Sequence, residues 1–165
     1  MTLPAPQYDK AAVGAILEMV KDPEIPVLTV EDMGIIRDVD IEGEKVIVSI
    51  TPTYSGCPAM EHISNDISTT LKLHGYGDVE IKTVLSPAWS SDMITERGRE
   101  RMREYGIAPP SDVGSKGAML GIDPVSCPQC GSQNTSIVSE FGSTACKALY
   151  KCNDCMEPFD YFKCV

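Results

Sequence analysis

The sequence runs Cys127-Pro128-Gln129-Cys130-Gly131 near its carboxyl end and then, with 21 residues between the two C-x-x-C pairs, Cys152-Asn153-Asp154-Cys155. Two residues between paired cysteines allow one tight turn to direct both sulfurs at a single ion, at a Zn–S distance of about 2.3 Å. Gly131 suits the turn after the first pair because glycine permits positive φ, whereas Met156 occupies the equivalent position after the second pair. The spacing therefore predicts that four thiolates hold one zinc ion. The predicted ligands are Cys127, Cys130, Cys152 and Cys155.

Two such pairs, each in its own turn, resemble the knuckles of a zinc ribbon. A module of about 38 residues cannot bury enough apolar surface to fold without a cross-link. Structural zinc supplies about 10–16 kcal/mol of apparent binding energy to such peptides, so we expect residues 127–164 to fold only with metal. Four thiolates also suit an iron–sulfur cluster, but short C-x-x-C turns separated by a long hairpin favour zinc.

Three of the seven cysteines lie outside the two pairs. Cys146 and Cys164 are either buried thiols without a ligand role or, for one of them, a replacement metal ligand. Cys57 precedes Pro58 at a predicted strand-to-helix junction, where the free amides of a helix N-terminus stabilise a thiolate. The alternative for Cys57 is a buried structural thiol, and neither His62 nor His74 is well placed to act as its base.

Composition and charge exclude several classes of protein. Of the 165 residues, 42% are hydrophobic, which is typical of a globular chain. The net charge of −10, from 24 acidic and 14 basic residues, argues against a nucleic-acid partner. No apolar run approaches the roughly 20 residues that a membrane span needs, so no membrane association is expected. The N-terminus lacks the basic and apolar segments of a secretory signal, which predicts a cytoplasmic location.

Hydrophobic periodicity predicts an α+β chain. The first domain is expected over 1–110, a linker over 111–126 and the small β ribbon over 127–165. The first predicted element is a helix from Asp9, with Val13, Ile16, Leu17 and Val20 on its apolar face. A β-hairpin of Ile35–Ile41 and Val46–Thr51 follows. The remaining predicted elements are a helix from Pro58 that ends near Gly75, a strand over Val79–Leu85 and a helix over about Asp92–Tyr105.

The order of four motifs resembles the iron–sulfur-assembly domain shared with SufT. These motifs are Asp22-Pro-Glu24-Ile-Pro26, Met33-Gly-Ile-Ile-Arg37, Thr51…Cys57-Pro58 and Pro87-Ala-Trp89. With the tail CPQCGS…FGSTACKALYKCNDCMEPFDYFKC, the chain resembles the PaaD-type proteins of phenylacetate degradation. The resemblance implies a small N-terminal α/β fold with a mixed sheet. It also implies zinc at the four paired cysteines and transient iron or an iron–sulfur cluster at Cys57, near Asp22 and Glu24.

The resemblance implies an accessory role in phenylacetate catabolism rather than substrate turnover. Such a factor would help to mature the iron–sulfur or di-iron centre of the multicomponent phenylacetyl-CoA epoxidase, with oxygenase or reductase components as partners and a homodimer as a further option. One alternative is a non-catalytic docking subunit of the oxygenase, and another is a small thiol enzyme that uses Cys57. Taken on its own, Asp22-Pro-Glu24 is either a loop anchor whose carboxylates accept backbone N–H bonds or a set of groups that approach Cys57.

Overall fold

The N-terminal part of the chain is built on a three-stranded sheet. In the computed structural model, which describes residues 5–110 and 124–163, the strands are β1 (Ile36–Glu42), β2 (Lys45–Ile50) and β3 (Asp78–Thr83). Strand β2 lies in the centre, antiparallel to β1 and parallel to β3. The mixed sheet and the α+β class are therefore as predicted.

Two helices cover this sheet, α1 (Lys10–Leu17) and α2 (Ala59–Leu73). Helix α2 connects the parallel strands β2 and β3, and its apolar positions at helical spacing are buried. Burial of each large aliphatic side chain contributes about 1.5–3 kcal/mol. The core includes the fully buried Ile63, Ile67 and Leu71 of α2 and Val46, Val48 and Ile50 of β2.

Two helices are shorter than the periodicity predicts. Helix α1 ends at Leu17, and Val20 is buried in the following loop, where its carbonyl accepts the Val30 N–H at 2.9 Å. The helix predicted over about Asp92–Tyr105 is divided into a 3-10 turn at Ser91–Met93 and helix α3 at Glu96–Tyr105. The division occurs because the Thr95 N–H donates to the backbone carbonyl of Asp32 at 2.9 Å.

The C-terminal part forms a second sheet with strand order β4-β7-β6-β5. Its strands are β4 (Ile107–Ala108), β5 (Thr135–Ser139), β6 (Lys147–Cys152) and β7 (Pro158–Phe162). The last three form an antiparallel ribbon, and β4 pairs in parallel with β7. Its small core holds three aromatic rings, with centroid separations of 5.9 Å for Tyr150–Phe159 and 5.5 Å for Tyr150–Tyr161.

The chain divides into two compact units between Thr95 and Glu96. Helix α3 and strand β4 therefore lie with the ribbon, whereas the sequence boundary at 110 assigned them to the first domain. The reason is the pairing of β4 with β7, which joins residues more than fifty positions apart in the chain. The linker predicted over 111–126 lies outside the described residues except for its last three. Within the described residues, no helix has the length and apolar character needed to cross a membrane.

Candidate metal centre

Four cysteine sulfurs lie close together in the C-terminal unit. All four are within 4.8 Å of one another, with Cys127 Sγ–Cys155 Sγ at 3.7 Å and Cys130 Sγ–Cys152 Sγ at 3.6 Å. A tetrahedral ion with Zn–S bonds of about 2.3 Å separates its sulfurs by about 3.8 Å, whereas a disulfide separates them by only about 2.05 Å. The four sulfurs therefore fit a single shared zinc ion, as the C-x-x-C spacing predicted, and they are not spaced as disulfides.

Backbone hydrogen bonds shape the two turns that carry these sulfurs. In the first, the Gly131 N–H donates to the Cys127 carbonyl at 2.8 Å. In the second, which joins β6 to β7, the Cys152 N–H donates to the Glu157 carbonyl at 2.9 Å, and the Cys155 N–H lies 3.5 Å from Cys152 Sγ. An amide directed at a sulfur stabilises the thiolate that binds metal.

The pKa values of two of these thiols, Cys152 and Cys155, are shifted in opposite directions. The Cys155 backbone N–H, with help from that of Asp154, lowers the pKa of the Cys152 thiol to about 7. The Glu157 N–H lowers the pKa of Cys155, but burial and the neighbouring thiols outweigh it and raise the value to about 12. One thiolate therefore forms readily, whereas burial and the neighbouring thiols oppose a second. A divalent ion would reverse this balance and release protons as it binds.

Side chains next to the ligands join the two turns. The Asp154 carboxylate accepts hydrogen bonds from Ser132 Oγ and, at 2.9 Å, from Asn134 Nδ2, both of which follow the first cysteine pair. These bonds lower the pKa of Asp154, so the carboxylate stays ionised. The Asn153 N–H also donates to the Asn134 carbonyl at 2.8 Å. Asp154, to which the sequence analysis assigned no role of its own, therefore connects the two knuckles.

The residues after the two cysteine pairs share a left-handed conformation, with φ of +75° at Gly131 and +65° at Met156. A Cβ at Gly131 would meet no atom within 4 Å, so strain alone decides the effect of Gly131→Ala. We expect that change to destabilise the metal-loaded ribbon by about 1 kcal/mol, and Met156→Gly to stabilise it by up to about 1 kcal/mol. Urea unfolding of the zinc-loaded variants measures both, and shifts of the same sign would contradict the strain argument.

The other two C-terminal cysteines have different positions. Cys146 is buried, its sulfur lies 3.1 Å from Thr144 Oγ1, and it is not a member of the four-sulfur group. Cys164 lies outside the described residues. The structure thus assembles four ligands without Cys146, which packs as a buried thiol.

Cys57 lies in the loop between β2 and α2 and is partly exposed. Its backbone N–H donates to the Tyr54 carbonyl at 3.3 Å, and its carbonyl accepts the Met60 N–H at 3.3 Å in the first turn of the helix. Gly56, with φ of +78°, allows the sharp reversal before it. Among the described residues, the four paired cysteines form the one group of three or more Cys, His, Asp or Glu ligands that could share an ion. Cys57 is therefore a single thiol rather than part of such a cluster.

Asp22 is buried and organises its own loop. Its Oδ1 accepts the N–H groups of Glu24 and Ile25, both at 2.8 Å, which is the loop-anchor arrangement. Glu24 takes part in this arrangement through its backbone N–H. The carboxylates of Asp22 and Glu24 do not form a ligand group with Cys57.

Replacement of Asp22 tests the anchor role. Asp22→Ala is expected to lower the free energy of unfolding of the N-terminal unit by about 1–3 kcal/mol, because one buried and one partly buried N–H group lose their acceptor. Asp22→Asn keeps an acceptor oxygen, so it should lower the free energy of unfolding by a smaller amount. Chemical denaturation compares the two, and equal losses would show that the charge, not the acceptor geometry, matters.

Comparison with known proteins agrees with this two-part architecture. A family model described as the PaaD zinc beta ribbon domain matches residues 112–163, and one described as an iron-sulfur cluster assembly protein matches residues 10–83. The chain is 47% identical over 165 residues to an Escherichia coli K12 protein named as one subunit of a "Putative 1,2-phenylacetyl-CoA epoxidase", covering 99% of this chain and 97% of the relative. The chain belongs to the PaaD family.

Further relatives match part of this PaaD-family chain. The chain is 38% identical over 94 residues to a Porphyromonas gingivalis protein named "Fe-S protein maturation auxiliary factor", covering 56% of this chain and 86% of the relative. The crystal structure of a DUF59 domain from Bacillus anthracis matches with a TM-score of 0.53 at 24% identity, covering 56% of this chain and 90% of that one. At that identity the likeness concerns the fold, and it agrees with the observed mixed sheet.

Proposed function

We propose that this PaaD-family protein is an accessory factor that matures a metal centre of a phenylacetyl-CoA epoxidase. In this proposal the iron–sulfur-assembly unit makes transient contact, through Cys57, with iron or an iron–sulfur cluster on its way to an oxygenase or reductase component. The zinc ribbon has a separate, structural role. The setting is the reducing cytoplasm, where both kinds of cysteine stay reduced.

The observation that carries the proposal is the contrast between the two cysteine sites. Four sulfurs within 4.8 Å of one another suit a resident ion, whereas Cys57 is one partly exposed thiol that belongs to no such group among residues 5–110 and 124–163. A resident site needs a full set of ligands, and a transfer site needs ligation weak enough to be reversed. A single cysteine ligand at the start of α2 has the second property. One relative is named for Fe-S protein maturation and another for the epoxidase. From these names we expect iron or an iron–sulfur cluster to be transferred, and an epoxidase component to receive it.

A docking subunit is the second candidate, and one surface favours it. Three apolar side chains on and beside the edge strand β5 are exposed: Ile137, Val138 and Phe141. Exposed apolar groups on a strand edge are common where another chain binds. In that role Cys57 would be a packing residue and the ribbon would provide the contact.

The thiol-enzyme alternative has less support, because both histidines have other partners. His62 Nε2 lies 3.2 Å from Asp66 Oδ2, and His74 Nδ1 lies 2.8 Å from the Thr70 carbonyl. Neither arrangement presents a base to Cys57.

Removal of the protein after assembly separates the two leading roles. The epoxidase components are expressed with this chain, the chain is then depleted, and epoxidation is measured against a culture that never contained it. A maturation factor is required before assembly and dispensable afterwards, so the depleted culture should keep full activity. Co-purification in a fixed ratio, with activity lost on depletion, would instead identify a subunit.

A further inference from the structure

Strand β5 lies at the outer edge of the C-terminal sheet and carries no charged side chain. Its five residues are Thr135, Ser136, Ile137, Val138 and Ser139. Ile137 and Val138 are 43% and 59% exposed, and Phe141, two residues beyond the strand, is 66% exposed. Lys163 Nζ lies 4.3 Å from the centroid of the Phe141 ring, a cation–π contact that orders this exposed side chain.

The other outer strands of the two sheets are protected against pairing with another chain. Strands β1 and β3 each carry three charged residues at alternate positions. These are Asp38, Asp40 and Glu42 on β1, and Asp78, Glu80 and Lys82 on β3. Strand β4 has only two residues, and both are buried. Charged side chains and short length are two usual means by which an edge strand avoids other edges. Among residues 5–110 and 124–163, β5 is the outer strand that lacks both.

The charge of the chain is divided unevenly between its two units. Residues 1–95 contain 15 acidic and 6 basic side chains, a net charge of −9. Residues 96–165 contain 9 acidic and 8 basic side chains, a net charge of −1. Two copies of the chain therefore repel each other least when their C-terminal units meet. This distribution favours a second copy of the chain as the occupant of the β5 edge.

An antiparallel pair of β5 strands centred on Ile137 brings no like charges together. In that register Ser136 of each copy lies opposite Val138 of the other, and Thr135 opposite Ser139. One position further out, Glu140 lies opposite the uncharged Asn134 rather than opposite another carboxylate. The strand is thus complementary to itself in charge.

We propose that two copies of this chain associate through β5, as an antiparallel pair related by a two-fold axis near Ile137. Such an interface uses the same surface of both copies. Pairing satisfies backbone groups along the β5 edge and removes the exposed Ile137, Val138 and Phe141 side chains from water. One strand and three side chains per copy are expected to bury less than the roughly 800 Å² per partner of a standard interface. The dimer should therefore be reversible, with a dissociation constant in the range of about 1–100 μM.

The dimer does not depend on the proposed maturation role, because neither Cys57 nor the four paired cysteines lie on β5. It does bear on the docking alternative. A second copy on β5 would occupy the surface that favours that role.

Sedimentation equilibrium of the full-length, zinc-loaded protein, from about 1 μM to about 1 mM, tests the proposal. Val138→Lys and Val138→Glu should each weaken self-association at least about tenfold, because like charges then lie close across the strand pair. Lysine lowers the net negative charge and glutamate raises it, so a loss in both variants reports the local contact. An equimolar mixture of the two variants should recover the dimer. Ala145→Lys is the matched control, at an exposed residue of the same unit outside β5, and it should dimerise normally. Zinc content shows that each variant is folded.

A wild-type chain that stays monomeric at about 1 mM would overturn the proposal. A dimer that both Val138 variants leave intact would also overturn it, because another surface would then hold the two copies. Failure of the mixed variants to associate, when each alone is monomeric, would contradict the two-fold pairing. A monomeric chain that binds an epoxidase component, and loses that binding in Val138→Lys, would assign the β5 edge to the docking role instead.

Discussion

Cys152→Ser is expected to leave the C-terminal sheet unfolded while the N-terminal unit stays folded. Cys152 is fully buried at the end of β6, and its sulfur lies 3.6 Å from that of Cys130 across the two turns. Structural zinc contributes about 10–16 kcal/mol in comparable modules, as much as the whole stability of a typical domain. Because the ribbon core is small, loss of one ligand removes more free energy than the remaining contacts supply.

Amide hydrogen exchange measures this prediction for each unit separately. Protection in β5, β6 and β7 should disappear in Cys152→Ser and in wild-type protein treated with a strong chelator, and protection in β1, β2 and β3 should persist. Cys146→Ala is the matched control, since it removes a buried thiol of the same unit that is not in the four-sulfur group. Full protection of the ribbon after chelation would contradict the metal requirement.

In the proposed maturation role, Cys57→Ser is expected to lower the iron and labile sulfide of an epoxidase component, without unfolding the protein itself. Cys57 is partly exposed and the exchange of sulfur for oxygen is nearly isosteric, so stability should change by less than about 1 kcal/mol. At neutral pH serine does not supply the thiolate that binds iron. Loss of a group that merely supports a metal ligand costs about 10–100-fold in affinity, so loss of the ligand itself should cost at least about tenfold.

The measurement is the iron and sulfide content of each purified epoxidase component after co-expression with the wild-type or the variant protein. Ser55→Ala is the matched control, because Ser55 is exposed in the same loop and offers no metal ligand of comparable strength. Unchanged metal content and unchanged epoxidation with Cys57→Ser would remove this thiol from the mechanism and favour the docking role.

Sequence spacing predicted the features that depend on near neighbours in the chain. Two residues between paired cysteines define a turn, and the helical period of Ile63, Ile67 and Leu71 defines a buried face, so both follow from local geometry. The anchor interpretation of Asp22 was available for the same reason, since its acceptor bonds reach only two and three residues ahead.

Features that depend on distant contacts were not predictable in this way. The helix expected over 92–105 is divided because Thr95 donates hydrogen bonds to Asp32, which lies 63 residues away in sequence. Strand β4 contains only two residues and is recognisable only by its pairing with β7. The cross-link from Asp154 to Ser132 and Asn134 likewise needs the two turns to face each other first. No local pattern encodes these pairings, because each is decided by how separate elements pack.

The proposed distinction between a resident metal site and a separate transfer thiol requires that the four paired cysteines share one ion. X-ray absorption at the zinc edge, with metal analysis of the purified full-length protein, tests this most directly. The account predicts one zinc per chain surrounded by four sulfurs at about 2.3 Å. A metal-free chain that keeps β5, β6 and β7 protected from exchange, with Cys127, Cys130, Cys152 and Cys155 joined in disulfides, would contradict it.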